Sequence, residues 1–265
     1  MTTAAPARTT RRYRPPAHAR APRPGRGSSV AYGVVGVVGE LLITLGVLLL
    51  GFLLWQLWWT DVEADRVQAD IVQSLPFEPA PTADPAAEGP DVAEPRRDEP
   101  PVAPVPEHAE SFATLQVPRW AGEPERPISE GTDRETVLDV LGIGRYEGTA
   151  MPGEVGNFAL AAHRVTYGKP FNRIEELQTG DPLVVRTADT WYVYRVTSTQ
   201  VVLPSQVDVI APTPNQPGVA PTERSITLTT CHPMFSARER YVVHGVLDYW
   251  APVADGTPAE LLPDA

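Results

Sequence analysis

The longest apolar stretch of the chain lies near its N-terminal end. Residues 41–59 read LLITLGVLLLGFLLWQLWW and contain no charged side chain. At a rise of about 1.5 Å per residue, a helix of this length nearly crosses the hydrocarbon layer of a membrane, which is roughly 30 Å thick. A glycine-rich stretch that reaches back to Val30, interrupted by Glu40, lengthens the apolar segment. The pattern predicts one transmembrane anchor helix within residues 30–59.

Charged residues on the two sides of this segment predict its orientation. Residues 1–39 contain seven arginines and no acidic residue, whereas Asp61, Glu63 and Asp65 follow the segment. Because positive charge favours the cytoplasmic side, we expect a single-pass cell-membrane protein with a cytoplasmic N-terminus and an extracytoplasmic remainder. The segment ends in bulky tryptophans, with no small-residue cleavage site after it, which favours an uncleaved anchor over a signal peptide.

Proline and charge dominate two further segments. Residues 1–29 are rich in Arg, Pro, Ala and Gly and are predicted to be a disordered basic tail. Residues 60–110 are rich in proline and acid, which predicts an extended, self-repelling extracytoplasmic linker. Within it, residues 62–75 have a weak helical period that favours an extension of the anchor helix. Single substitutions in such a linker should matter little.

Short runs of apolar residues follow from about residue 111 onward. They include NFALAA, DPLVVRT, WYVYRVTSTQVV, SITLTT and RYVVHGVLDY, separated by turns that contain Gly and Pro. Residues 133–141 form a candidate helix. Many short strands with few helices indicate a mainly β domain, either a barrel or a sandwich. We place this domain at residues 111–252 and a C-terminal tail at residues 253–265.

The charge balance argues against one class of partner. The 265 residues carry a formal net charge of −11 at pH 7, and the acidic excess follows the apolar segment. An acidic exterior argues against nucleic acid as a partner, because phosphate binding needs a basic surface. The sequence contains no recognisable metal-binding cluster or phosphate-binding loop. We therefore expect neither a metal nor a cofactor.

Cys231 is the single cysteine of the chain, which excludes an intramolecular disulfide. It ends the predicted strand SITLTT, and Pro233 prevents that strand from continuing. Period-two alternation puts Thr227, Thr229 and Cys231 on one face at the rim of the sheet. A lone cysteine is most often a buried core residue, but the edge of a scaffold is also where catalytic side chains are commonly held.

A nucleophilic thiol needs a proton partner, since a thiol at its ordinary pKa of about 8.5 is only a few per cent ionised at neutral pH. His18 and His108 fall in the predicted tail and linker, and His232 points away from the adjacent thiol. His244 lies within a predicted strand, as a packing or surface histidine does. His163 ends the run FALAA at the end of another strand and is the remaining candidate.

Arg240 is the candidate cation. It lies nine residues after Cys231 and opens the strand-like run YVVHGVL. If the two strands are antiparallel neighbours, both residues meet at one rim, where a guanidinium stabilises a thiolate or an oxyanion. Arg238 competes for this role, and isolated arginines in a loop commonly contact only solvent.

Three segments, taken in order, resemble the sortase family. YEGTAMPGEVGN resembles the run before the catalytic histidine of that family, and FALAAHRVTYGKPF resembles the segment around it. TLTTC with a later arginine resembles the signature TLxTC…R. Ala162 stands where glycine is usual in the family. The resemblance covers residues 112–251, and the anchor and the TCHP continuation are most similar to actinobacterial class E sortases.

The resemblance implies a fold and a set of site residues. The fold is a closed sortase-type β-barrel of about eight strands with short helices, preceded by one transmembrane helix and a disordered linker. Cys231 is then the nucleophile, His163 the acid and base, and Arg240 the stabilising cation. By the same resemblance, Thr230 lines the acyl pocket and Tyr146 lies in the segment linked to substrate preference.

The resemblance also implies a reaction and its partners. A membrane-anchored cysteine transpeptidase of this kind cleaves an LAxTG or LPxTG sorting signal between Thr and Gly through a thioacyl-enzyme. It transfers the secreted protein that carries the C-terminal signal to an amine of a cell-wall precursor or to a pilin lysine. The class E enzymes are associated with the LAxTG form.

Two other functions stay open from the sequence. A cysteine hydrolase with the same dyad passes the acyl group to water even when amine is abundant. A non-catalytic, membrane-tethered binding domain keeps its function after Cys231→Ala. An L,D-transpeptidase is disfavoured, because the sequence lacks the SHGC-type motif of that class.

Overall fold

The computed structural model describes residues 26–77 and 92–262. The predictions made for residues 1–25, 78–91 and 263–265 lie outside the described residues. Those positions include most of the basic tail, the central part of the predicted linker and the last residues of the chain.

The chain divides into two compact units, the first of which ends at Leu53. The described part of this unit belongs to helix α1 (Arg26–Ser74), which contains a stretch long and apolar enough to cross a membrane. Every side chain from residue 41 to residue 53 is exposed, although most are Leu, Ile, Val or Phe. Exposed apolar side chains all round a helix are typical of a segment that packs against lipid.

The second unit begins at Leu54 and contains a closed barrel of eight β-strands in the order β1-β2-β3-β4-β7-β8-β6-β5. The strands are β1 (Ser111–Gln116), β2 (Arg126–Glu130), β3 (Ile143–Arg145), β4 (Gly156–Ala161), β5 (Pro182–Arg186), β6 (Thr190–Val202), β7 (Arg224–His232) and β8 (Glu239–Pro252). The pairs β2–β3 and β4–β7 are parallel, and the other pairs are antiparallel. The predicted mainly β barrel is confirmed.

Strand β7 shows why these residues form a barrel wall. Ile226 and Leu228 are fully buried in the hydrophobic core. Burial of each such side chain contributes roughly 1.5–3 kcal/mol relative to exposure. Thr227 and Thr229 alternate with them and lie on the other face, where their hydroxyls donate hydrogen bonds to Asn157 Oδ1 and to a backbone carbonyl of β4. Strand β7 thus places apolar side chains in the core and hydrogen-bonded hydroxyls on the opposite face.

Two stretches of the predicted linker are ordered in the described residues. Helix α1 continues to Ser74, as its weak helical period favours. Further along, Arg96 and Trp250 exchange two backbone hydrogen bonds of 2.8 and 2.9 Å, and the Tyr192 hydroxyl donates to the Pro101 carbonyl at 2.7 Å. The barrel supplies aromatic surface and backbone partners to a proline-rich segment, so composition alone did not decide its structure.

The candidate helix at residues 133–141 is a single π-helical turn, Arg134–Leu138. Asp133 caps its start by accepting a backbone hydrogen bond of 2.9 Å from within the turn. Asp139 ends it, and the Asp139 backbone N–H donates to the Arg134 carbonyl at 2.8 Å. The turn therefore fixes the position of Asp139 on the barrel.

Residues 253–262, predicted as the start of a C-terminal tail, also contact the barrel. The Glu260 carboxylate accepts hydrogen bonds from Arg195 and from the Tyr249 hydroxyl. Leu261 packs against a small apolar cluster that includes Trp191. These contacts extend the ordered domain beyond the boundary predicted at residue 252.

Candidate active site

Strand register brings three of the predicted site residues into one row. In the antiparallel pair β7–β8, Cys231 lies directly opposite Arg240. In the parallel pair β4–β7, the last partners are Ala161 and Thr229. Extrapolating this register by two residues along both segments pairs His163 with Cys231.

Two hydrogen bonds show that this parallel alignment continues past the end of β4. The Ala162 N–H donates to the Thr229 carbonyl at 3.3 Å. The Thr230 hydroxyl donates to the Ala162 carbonyl at 2.7 Å. His163 directly follows Ala162, so it continues the row that contains Cys231 and Arg240.

The imidazole of His163 has a carboxylate partner. Its Nε2 lies 2.6 Å from Asp139 Oδ1, and the two side chains are 16 % and 20 % exposed. The ring of Tyr167 packs against the imidazole in a tilted arrangement, with centroids 5.1 Å apart. A carboxylate at one ring nitrogen favours a proton there, which leaves Nδ1 as the proton-accepting nitrogen of the neutral ring.

Arg240 is held by the loop between β7 and β8. Its Nη1 donates to the carbonyls of Ala237 and Glu239, both at 3.0 Å. Its side chain is only partly exposed, whereas Arg238 is exposed and lies before the strand begins. Of the two candidate arginines, Arg240 is the one that pairs with Cys231 in the strand register.

Arg164 is a further residue at the site, although no local sequence pattern predicts its position there. Its side chain is only 1 % exposed, and its Nη2 forms an ion pair of 2.7 Å with Glu175. Its Nη1 lies 3.4 Å from the Cys231 carbonyl oxygen and 3.1 Å from His232 Nδ1. The hydrogen bond from Arg164 lowers the pKa of Glu175, despite some burial. Arg164 thus links the backbone of Cys231 to the Glu175 carboxylate, whose side chain is 44 % exposed.

The two predicted substrate-binding residues have different positions. Thr230 is buried, and its hydroxyl donates a hydrogen bond to the Ala162 carbonyl. This bond links β7 to the residue that follows β4. The Tyr146 hydroxyl lies 3.0 Å from Thr229 Oγ1, on the face of β7 that Cys231 shares. Tyr146 is partly exposed and thus able to contact a ligand beside the thiol.

The other histidines lie elsewhere in the described residues. His108 is on the surface, where hydrogen bonding to Glu147 raises its pKa despite the opposing effect of desolvation. His244 lies in the middle of β8, opposite Thr227, and is 5 % exposed. Burial lowers the pKa of His244 to about 4. Within residues 26–77 and 92–262, no group of three or more His, Cys, Asp or Glu side chains is arranged to hold a metal ion.

Comparison with known proteins agrees with this geometry. Residues 115–248 match the family model of the sortase domain. Sortase SrtE1 of Streptomyces coelicolor is 38 % identical over 250 residues, which cover 92 % of this chain and 64 % of that protein's length. Sortase SrtE2 of the same organism is 34 % identical over 238 residues, 85 % of either chain.

Solved structures show the same relationship. The SrtA sortase from Actinomyces oris superposes with a TM-score of 0.61 at 46 % identity, over 64 % of this chain and 98 % of that one. Sortase E1 from Streptomyces coelicolor, solved with a tripeptide in its active site, gives a TM-score of 0.54 at 40 % identity, over 58 % and 98 % of the two chains. This chain is a member of the sortase family of cysteine transpeptidases, with class E sortases among its relatives.

Proposed function

We propose that this sortase cleaves a sorting signal of the LAxTG or LPxTG type between Thr and Gly, and transfers the acyl group to an amine. The observation that supports the proposal is the strand register, which pairs Cys231 with Arg240 across β7 and β8 and aligns the end of β4, two residues before His163, with Thr229 of β7. This alignment supplies a base, a nucleophile and a cation at one rim of the barrel. The tripeptide bound in the active site of the Streptomyces coelicolor relative supports a peptide substrate.

The first half of the reaction forms a thioester. The Cys231 sulfur, as thiolate, attacks the carbonyl carbon of the Thr–Gly bond, and the carbonyl oxygen becomes an oxyanion. His163, as imidazolium, gives its proton to the departing glycine nitrogen while the C–N bond breaks. Arg240 stabilises the negative charge that develops on sulfur and oxygen, because its guanidinium stays protonated throughout.

The second half releases the product to the acceptor amine. The amine nitrogen attacks the thioester carbonyl and loses a proton to His163, and the C–S bond breaks to restore the Cys231 thiolate. Asp139 holds the imidazole by its Nε2, which keeps Nδ1 as the nitrogen that exchanges protons at each step.

Tyr146 and Thr230 have supporting roles in this proposal. Tyr146 lies beside the outer face of β7, where its ring contacts the sorting signal next to the scissile bond. Thr230 bonds to the Ala162 carbonyl and so fixes the spacing between the strands that carry His163 and Cys231.

The apolar part of helix α1 is the proposed membrane anchor, with the N-terminus in the cytoplasm and the barrel outside. This orientation follows from the arginines before the helix and the acids after it. It places the enzyme where secreted proteins with a C-terminal sorting signal meet exported cell-wall precursors or pilin lysines. Tethering to the same membrane raises the effective concentration of membrane-bound substrates.

The test uses the full chain in detergent micelles with LAxTG and LPxTG peptides, with and without triglycine. We expect cleavage after Thr, a peptide–triglycine product when the amine is present, and a thioester adduct by mass spectrometry. Cys231→Ala should abolish the adduct and both products, while Ser236→Ala in the neighbouring loop should leave them. An adduct that survives in Cys231→Ala refutes the proposal, and carboxylate product alone at high amine concentration identifies a hydrolase.

A further inference from the structure

A buried glutamine connects the last turns of helix α1 to the barrel. Gln68 is 1 % exposed, and its Nε2 donates to the Tyr167 carbonyl at 3.1 Å. Its Oε1 accepts a hydrogen bond of 2.8 Å from Arg126, which is itself 7 % exposed. Both ends of the buried amide are therefore hydrogen-bonded, and loss of either bond leaves a buried polar group without its partner.

Two glycines of the barrel unit leave room for this amide. A Cβ atom at Gly142 would lie 2.8 Å from Gln68 Cδ, and one at Gly168 would lie 3.0 Å from Gln68 Nε2. Both glycines also have positive φ, at 103° and 73°. Gly142 lies shortly after Asp139, and Gly168 directly follows Tyr167. Gln68 thus packs against two separate loops at positions where the backbone comes close to it.

These two loops supply the neighbours of the His163 imidazole. Asp139 Oδ1 lies 2.6 Å from His163 Nε2, and the Tyr167 ring packs against the imidazole with centroids 5.1 Å apart. Asp139 selects the tautomer of the ring, and Tyr167 restricts its orientation. Gln68 does not touch the imidazole, but it contacts the loops that carry both of these side chains.

The loop that contains Tyr167 needs such support. Residues 167–169 have φ values of 56°, 73° and 39°, and only the middle one is glycine. Non-glycine residues with positive φ are held in place by their surroundings. Here helix α1 contributes, because Asp61 accepts from the Gly168 N–H at 3.3 Å and from Lys169 Nζ at 2.9 Å, next to the bond from Gln68 to the Tyr167 carbonyl.

We propose that Gln68 is a positioning residue for the acid and base of the reaction. It holds the loops of Asp139 and Tyr167 so that His163 keeps the orientation in which it exchanges protons. The inference rests on the proposed function, because it concerns the base of that reaction. It gives a role in turnover to a segment between anchor and barrel in which composition alone predicts that single substitutions matter little.

The first test compares two glutamines of the same helix in the full chain in detergent micelles. Gln68→Ala should lower kcat for the sorting peptide about tenfold, because a misplaced imidazole slows proton transfer, and should leave KM unchanged. Gln73→Ala, at an exposed position, should change neither constant. Gln68→Met keeps the length of the side chain without its hydrogen bonds and should behave like Gln68→Ala. Thermal unfolding identifies the variants that are folded at the assay temperature.

The second test asks whether the effect passes through Tyr167. Tyr167→Ala removes the ring beside His163 but keeps the carbonyl that accepts from Gln68. We expect the double variant Gln68→Ala/Tyr167→Ala to lose less kcat than the product of the two single losses, because both substitutions disturb the same imidazole. A Gln68 that only stabilises the fold would give losses that multiply.

A third readout needs no substrate. The ¹⁵N signals of the His163 imidazole, assigned with His163→Gln in histidine-labelled full chain, report its contact with Asp139. Gln68→Ala should shift the Nε2 signal, and Gln73→Ala should not. If the wild-type chain cleaves no sorting peptide, the proposed function has failed, and these signals still decide whether Gln68 positions the ring.

Several outcomes overturn the inference. Wild-type kcat in both folded Gln68 variants excludes a positioning role, as does an equal loss in Gln73→Ala. A rise in KM that accounts for the whole loss shows that the helix acts on peptide binding instead. Multiplicative losses in the double variant, or an unshifted His163 signal in folded Gln68→Ala, show that Gln68 does not act through the imidazole.

Discussion

Two histidines flank strand β7, which contains Cys231, and they differ in almost every physical respect. His163 follows β4 at the rim of the barrel, is 16 % exposed and faces the Asp139 carboxylate at 2.6 Å. His244 lies in the middle of β8 and is 5 % exposed. Its ring nitrogens lie 2.9 Å from Thr227 Oγ1 and 2.9 Å from Gln200 Nε2, which are neutral groups.

The difference shows what makes a histidine suitable for proton transfer. Burial without a charged partner lowers the pKa of His244 to about 4, so this ring stays neutral and serves as a hydrogen-bonding element of the wall. At the rim, a carboxylate orients the ring and solvent and substrate can reach it. Both histidines lie beside β7. Their hydrogen-bonding partners and their positions at the rim or in the wall of the barrel therefore decide which of them is suited to proton transfer.

The largest expected effect comes from making the same substitution at both histidines. His163→Gln removes the imidazole that we propose as the proton donor to the leaving amine, and we expect turnover of the sorting peptide to fall roughly a thousandfold. His244→Gln keeps an amide that is able to bond to Thr227, and turnover should stay near the wild-type value. Initial rates with a fluorogenic sorting peptide measure both, and thermal unfolding shows whether each variant is folded. A folded His244→Gln protein as inactive as His163→Gln contradicts the comparison.

A second test compares the two arginines near the thiol. Arg240→Ala removes a guanidinium aligned with Cys231, and loss of such an oxyanion donor costs about 3 kcal/mol, or about a hundredfold in turnover. Arg238→Ala removes an exposed charge two residues earlier and is the matched control. If Arg238→Ala lowers the rate more than Arg240→Ala does, the strand register has assigned the cation to the wrong residue.

A smaller effect is expected from Asp139→Asn, which keeps the shape of the side chain but removes its charge. An amide is able to turn its NH₂ toward His163 and favour the other tautomer, so we expect a loss of about 1.5 kcal/mol, or about tenfold in kcat. KM for the sorting peptide should not change, and Asp139→Glu should restore part of the rate. A parallel change in KM, or no rescue by glutamate, indicates that Asp139 acts only through the local fold.

The sequence predicted those parts of the site that local patterns determine. Cys231 ends a β-type run before a proline, so its place at a strand end follows from alternation and from the missing proline N–H. His163 and Arg240 also mark the ends of strand-like runs. Their alignment in one row depends on the parallel register of β4 with β7, which no local pattern specifies.

Residues that act through distant contacts could not be predicted in this way. Asp139 lies at the end of a short π-helical turn, and only the tertiary fold brings it to His163. Arg164 follows His163 directly, yet nothing local showed that it would be buried against Glu175 and the Cys231 carbonyl. The proline-rich residues after position 92 were likewise expected to be a linker without fixed contacts, because their hydrogen-bond partners belong to strands far away along the chain.

The smallest effect on activity, and the clearest on stability, concerns the pH response of His244. Its pKa is about 4 in the folded protein, whereas the pKa of a histidine in an unfolded chain is about 6.5. Between these values the unfolded chain binds a proton that the folded protein does not bind. The free energy of unfolding therefore falls as the pH is lowered from 6.5 toward 4, by up to about 3 kcal/mol, and changes no further below 4 for this group.

His244→Gln should remove this part of the pH response, because glutamine does not titrate. We expect the melting temperature of the wild-type chain in detergent micelles to fall more between pH 7 and pH 4.5 than that of His244→Gln. Contributions from surface groups such as His108 are common to both proteins and cancel in the comparison. Equal falls in the two proteins contradict a buried, neutral His244, whereas a smaller fall in the variant shows that this imidazole is kept uncharged by burial in the barrel wall.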